Sequence, residues 1–184
     1  LLPYLKEFIH RNPHISISIE CQSTNETLKL LDDDKIDIGL IGKPASLKTF
    51  NFYYLDNIED RFVTTKDYLR NLSARGVKKS EILQNSTLML LDKGNMTRKY
   101  IDDYLQENQI HVKDSIDISN MDLLIDFAKI GVGVACVIKS IVSKELADGT
   151  LIEIPLGIPI HKREVGFAYK ESSKLSTSLQ TFIK

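Results

Sequence analysis

Apolar positions along this chain switch period again and again, between the spacing of a helix and that of a strand. Helical spacing runs from Leu2 to about Arg11 and stops at Asn12-Pro13, with Pro3 suited to a first helical turn. Ile15-Ser16-Ile17-Ser18-Ile19-Glu20 then alternates strictly, which predicts a strand with one apolar wall. A helix is expected from about Asn25 to Leu31, ending at Asp32-Asp33-Asp34, and Ile36 to Ile41 reads as a further strand. Helix, strand, helix and strand in that order indicate an α/β lobe with a largely parallel sheet.

Gly42-Lys43-Pro44-Ala45-Ser46 reads as a loop. Phe50 to Leu55 and Arg61 to Thr64 are two extended segments separated by the polar Asp56 to Asp60. After them the alternation restarts. A strand at Thr87 to Leu91 leads to a helix from Met96 to about Glu107, and Ser115 to Ile118 leads to a helix from Asn120 to Ile130. Val132 to Ile138 has the continuous apolar run of a buried strand, and a helix follows to about Ala147. Leu151 to Pro155 and Arg163 to Tyr169 are extended, and Leu175 to Ile183 closes as a helix. Two α/β lobes are therefore expected, one from 1–58 plus 163–184 and one from 59–162.

Three times an apolar run breaks into a polar turn that opens a helix: Cys21-Gln22-Ser23-Thr24-Asn25, Lys93-Gly94-Asn95-Met96-Thr97 and Ile118-Ser119-Asn120-Met121. Ligands of α/β proteins collect at such turns, because unpaired N–H groups and the helix dipole point there. Ser23-x-x-Glu26 and Ser119-x-x-Asp122 each have capping-box spacing, and capping alone accounts for those residues. Thr24 and Asn25 are not needed for the first box, and Asn120 and Met121 remain candidates to line a cleft. Asp122 would repel an anion at that helix start. If Asn95 is a cap, Arg98 stands in the first turn against the dipole preference, where it either completes an anion site or pairs with Asp102. Lys43 either meets an anionic ligand or is a solvated loop lysine. The expected ligand contacts are thus Ser23, Thr24, Asn25, Lys43, Asn95, Met96, Thr97, Arg98, Ser119, Asn120 and Met121. The Asn95–Thr97 turn is expected to face Ser23–Asn25 across a gap between the lobes.

Totals change the picture mainly by exclusion. At 184 residues, 42% hydrophobic and 27% charged, the chain is an ordinary globular protein. Its net charge of −1 gives no basic face for nucleic acid. No apolar run reaches spanning length and no signal peptide opens the chain, so a cytoplasmic place is expected and no membrane contact. Cys21 and Cys136 lack metal-ligand or disulfide spacing and are expected reduced, in apolar surroundings. His10, His14, His111 and His161 are scattered, without a carboxylate or nucleophile at a telling spacing. With no phosphate-binding glycine loop and no nucleophile elbow either, neither an enzyme nor a cofactor is expected.

The ordered set of segments carries a resemblance. Leu2-Pro3, Phe8 and Pro13, then Leu30-Leu31 followed by Ile36-Asp37-Ile38-Gly39-Leu40, is similar to the effector-binding domain of LysR-type transcriptional regulators. So are Phe127-Ala128, Gly131-Val132-Gly133-Val134-Ala135, and the returning pair Leu151 to Pro155 and Arg163 to Phe167. The resemblance covers nearly the whole chain. It implies an α/β, two-lobed, type 2 periplasmic-binding-protein-like fold with an effector in the interlobe cleft; the polar turns point to a small anionic ligand and fit an amino acid, a dicarboxylate or an inorganic anion equally. It also implies a bacterial protein, a homodimer or homotetramer, and DNA contact only through a helix-turn-helix domain outside these residues. Dimer contacts would fall on the first helix, at Tyr4, Leu5 and Phe8, which equally suit core positions. The family pattern opens with a strand before that helix, which has no counterpart here, so the fold is expected with its first strand missing. Ile15 to Glu20 should then not pair with Ile36 to Ile41. A solute-binding protein for uptake shares the fold and is the alternative.

Overall fold

A computed structural model describes residues 2–47, 49–170 and 177–183. The contacts divide the chain into two units, Leu1–Leu55 with Val165–Lys184, and Asp56–Glu164.

The first unit opens with α1 (Leu2–Arg11), as the helical spacing predicts, and continues with α2 (Thr24–Asp32) and β1 (Gly39–Gly42). Its sheet has the order β1, β8 (Arg163–Lys170), β2 (Phe50–Ile58), and β1 runs antiparallel to β8 from Gly39↔Ala168 to Gly42↔Val165. The expected parallel pairing therefore gives way here to a strand that returns from the far end of the chain. Ile15 to Glu20 forms no ladder at all, with either β1 or any other described strand. Alternation alone does not make a strand: without a hydrogen-bonded neighbour the segment stays irregular, and Ile17 and Ile19 are exposed.

Burial in this unit centres on Leu31, Ile41 and Ala168. Gly39 lets α2 lie close on β1, because a Cβ there would run into the Thr27 methyl group. Phe8 and Phe167 pack on Phe182 of α8 (Thr177–Ile183) at 5.0 and 5.3 Å between ring centroids. Tyr4 donates a hydrogen bond to the Phe182 carbonyl. Phe8, nominated for a subunit contact, is thus a core side chain of its own unit, whereas Tyr4 is largely exposed and Leu5 half-buried. Leu175 lies outside the described residues.

The second unit is a five-stranded sheet in the order β5 (Asp114–Ile118), β4 (Thr87–Leu91), β6 (Val134–Ile138), β3 (Asp60–Thr64), β7 (Ile152–Glu153). β4 is parallel to β5 and β6, and β3 is antiparallel to β6 and β7. Its central strands are apolar at nearly every position because both faces are covered. Phe62, Leu88, Leu90, Val134 and Cys136 point into one core with α5 (Met96–Glu107). Val63, Met89, Leu91, Ala135 and Val137 point into the other with α6 (Met121–Lys129). The first core also takes in α3 (Lys66–Ala74) and α4 (Ile82–Asn85), the second α7 (Ser143–Asp148). Residues 66–86 carry no element in the sequence reading, yet they hold α3 and α4, helices whose buried anchors are only Leu72, Ile82 and Leu83. After α6, Gly131 takes a positive φ of 75°, which turns the chain into β6.

Both cysteines are free, but Cys21 is exposed, contrary to its expected apolar setting, because the segment around it joins no sheet. Cys136 is buried, and that burial pushes its thiol pKa well up. All four histidines are exposed.

Candidate functional site

In the second unit the register gathers two of the three polar turns at one end of the sheet. β4 and β5 pair from Thr87↔Asp114 to Leu91↔Ile118, so both strands end side by side, and the Asp92 N–H donates to the Ile118 carbonyl at 3.1 Å. The Lys93–Thr97 and Ser119–Met121 turns leave from that edge. This is the carboxyl end of the parallel strands, where α/β sheets hold ligands. β3 runs the other way, which sets its first residue, Asp60, opposite Ile138 at the same end.

Asn95 caps α5, its Oδ1 accepting from the Thr97 N–H at 2.8 Å. Among the described residues the N–H groups of Met96 and Arg98 have no partner, so they remain as the free donors of this helix start. The Arg98 side chain is buried and engaged. It is 7% exposed, its Nε donating to Asp102 at 2.8 Å and its Nη1 to the Leu91 carbonyl at 2.8 Å and Asp117 at 2.5 Å. Burial pulls the guanidinium pKa down, but hydrogen bonds and charge from Asp117 and Asp102 outweigh it and raise it overall. Arg98 thereby ties α5 to the ends of β4 and β5.

Of the two readings of Arg98, the pair with Asp102 is the one that forms, and a second arginine lies at the same end of the sheet. Arg163, at the start of β8, donates through Nε and Nη2 to Asp60 at 2.6 and 2.8 Å. Nη2 also reaches the Thr97 hydroxyl at 3.3 Å. Its guanidinium carbon lies 5.2 Å from the centroid of the Tyr100 ring, whose hydroxyl donates to the His161 carbonyl at 2.9 Å. Burial is the main cause raising the Tyr100 pKa, with the Arg163 charge pulling the other way. Asp60 is fully buried and the Arg163 side chain 11% exposed. Nη1 of Arg163 has no protein partner among the described residues, yet it is not sealed from solvent. Thr97, Arg163 and two free N–H groups therefore offer hydrogen-bond donors together, the chemistry of an anion site.

At α6 the cap is Asn120, whose Oδ1 accepts from the Leu123 N–H at 2.9 Å, so the expected box from Ser119 to Asp122 does not form. The helix begins one residue later than that box requires, and the position that would supply its carboxylate is Leu123. Ser119 is exposed and Met121 half-buried against the α6 core. The first-unit turn is as expected. Ser23 caps α2 in a box with Glu26, and the hydrogen bonds from Ser23 lower the Glu26 pKa. Thr24 is half-buried and Asn25 exposed in the first turn. Lys43 follows β1, with its ammonium 5.4 Å from the Phe52 ring centroid.

Asp60, Tyr100 and Arg163 are not among the site residues expected from the sequence. Asp60 falls in a polar spacer and Arg163 at the head of a strand, 103 residues away. The available signal is a charge opening each of two apolar runs, Asp60-Arg61-Phe62-Val63 and Arg163-Glu164-Val165-Gly166-Phe167.

Residues 1–184 match the LysR substrate binding domain family. The chain belongs to that family. Among curated relatives, the HTH-type transcriptional activator CmpR of Synechocystis sp. is 25% identical over 180 residues, 97% of this chain and 58% of that protein. The HTH-type transcriptional regulator YeiE of Escherichia coli is 23% identical over 97% of this chain and 60% of its own length. The chain thus spans about three fifths of these regulators. Among solved structures, the Synechocystis CcmR regulatory domain in complex with 2-PG superposes with a TM-score of 0.84, at 18% identity, over 99% of this chain and 86% of that one. A variant OxyR2 regulatory domain from Vibrio vulnificus, sulfate-bound, gives 0.74 at 14% identity over 99% and 85%. This LysR domain shares with them the two-lobed, periplasmic-binding-protein-like fold.

Proposed function

We propose that this LysR domain is the effector-sensing, oligomerising part of a cytoplasmic transcription regulator and has no catalytic role. It binds a small anionic metabolite and passes that signal, through homodimer or homotetramer contacts, to DNA binding by a helix-turn-helix domain outside these residues. A ligand can do this only by differing in affinity between two arrangements of the domain.

The observation that carries the reading is the donor cluster at the sheet end. The Thr97 hydroxyl lies beside Arg163, next to the unpartnered N–H groups of Met96 and Arg98. Asn95, Ser119, Asn120 and Met121 shape that pole, and Ser23, Thr24, Asn25 and Lys43 are the ligand contacts proposed for the first unit. Arg163 adds charge in place of the side chain of Arg98, which is already committed to two carboxylates. That the CcmR domain holds 2-PG and the OxyR2 domain sulfate is in keeping with an anionic ligand.

Calorimetric titration of the domain with 2-phosphoglycolate, sulfate and a panel of metabolite carboxylates tests this. At least one anion should bind, and Thr97→Ala should weaken it at least about fivefold, a loss of roughly 1 kcal/mol. Thr97→Ala should leave the melting temperature nearly unchanged, since Asn95 is the cap. Parent affinity in Thr97→Ala, or no binding across the panel, would overturn the assignment.

A further inference from the structure

Away from the sheet end, a cleft of about 340 Å³ opens beside α3 in the second unit. Lys66, Leu69, Arg70 and Ser73 fall at i, i+3, i+4 and i+7, the spacing that puts side chains on one face of a helix. Leu72 and Ile82, 1% and 7% exposed, belong to the core beneath, and Leu69, Val77 and Ile152 are half-buried walls. Among the described residues three cations line the cleft, Lys66, Arg70 and Lys79, and no carboxylate does. Arg70 is paired with Asp67 at 2.8 Å, both well exposed, whereas Lys66 and Lys79 have no ion-pair partner among the described residues.

We infer that this cleft is a second ligand site, for an amphipathic anion that sets an apolar chain or ring on the Leu69–Val77–Ile152 walls and its anionic head among the cations of the rim, Lys66, Arg70 and Lys79. Its volume lies at the small end of ligand pockets, about 300–1,000 Å³, which suits a medium-length chain or a single ring. A small inorganic anion would leave the apolar walls uncovered, and a neutral chain would leave the two ammonium groups without a counter-charge. The site shares no residue with the Thr97–Arg163 cluster, so it stands apart from the proposal made for that cluster.

Calorimetry with octanoate as the probe, against 1-octanol and acetate, tests the assignment on the whole domain. Octanoate should bind at one-to-one stoichiometry and more tightly than either comparison. The double variant Lys66→Glu/Lys79→Glu, which changes two exposed side chains, should weaken octanoate about tenfold or more. Lys66→Arg/Lys79→Arg should keep the affinity, and Thr97→Ala should leave it unchanged. Absence of octanoate binding, equal affinity in the Lys-to-Glu variant, or loss of binding in Thr97→Ala would each overturn the site.

Discussion

Breaking the Asp60–Arg163 pair is the sharpest test of how the sheet end is held. Asp60 is fully buried, and both its carboxylate oxygens accept from Arg163, at 2.6 and 2.8 Å. Removing one partner of a buried pair leaves the other charge uncompensated and typically costs about 3–5 kcal/mol. The two single variants should differ within that range. In Asp60→Leu, Arg163 keeps the Thr97 hydroxyl, the Tyr100 ring and solvent at Nη1, so the loss should sit near the low end. In Arg163→Met, the Asp60 carboxylate keeps no hydrogen-bond donor among the described residues, so the loss should sit near the high end. The double variant replaces the pair with apolar side chains and should come within about 2 kcal/mol of the parent. Urea unfolding followed by circular dichroism would show the losses as shifted midpoints at unchanged slope. Heating would show them as drops of about 2–4 °C per kcal/mol in a chain of this size. A loss under about 1 kcal/mol for Arg163→Met, or a double variant as unstable as the singles added together, would refute the reasoning.

Two further outcomes follow from the local geometry. Asn120→Ala should cost about 1 kcal/mol of stability, whereas Ser119→Ala should stay within about 0.5 kcal/mol; equal losses in urea unfolding would return the α6 cap to Ser119. The Lys162 hydrogen bond at 2.6 Å, aided by the Arg61 and Lys139 charges, holds the Glu59 pKa below the ordinary glutamate range. A carboxylate depressed by folding contributes stability that is present in full above its unfolded pKa and lost as pH falls through its folded one. Glu59→Gln should therefore make the acid limb of a stability-against-pH curve shallower, and an unchanged slope below the ordinary glutamate range would refute the attribution.

Taken by itself, the sequence determined what depends on near neighbours. α1, β4 and α5 follow from the period of their apolar residues, which records the faces to be covered. The cap of Ser23 on α2 and that of Asn95 on α5 are likewise decided within a few residues. Alternation in Ile15 to Glu20 is as regular as in any strand, yet a strand also needs a neighbour to take its N–H and C=O groups, and that is a property of the whole chain. Only the tertiary structure decided which partners the two arginines at the sheet end take. Arg98 and Asp102 are one helical turn apart and their pairing is legible, but Asp117 and the Leu91 carbonyl join them only because β4 and β5 are parallel in register. Asp60 and Arg163 meet across 103 residues, since β3 enters the sheet antiparallel and puts its first residue where the parallel strands end. A local pattern carries the reach of one side chain along its own element. The partners of a buried charge are set by sheet register, which is fixed only when the distant strands have packed.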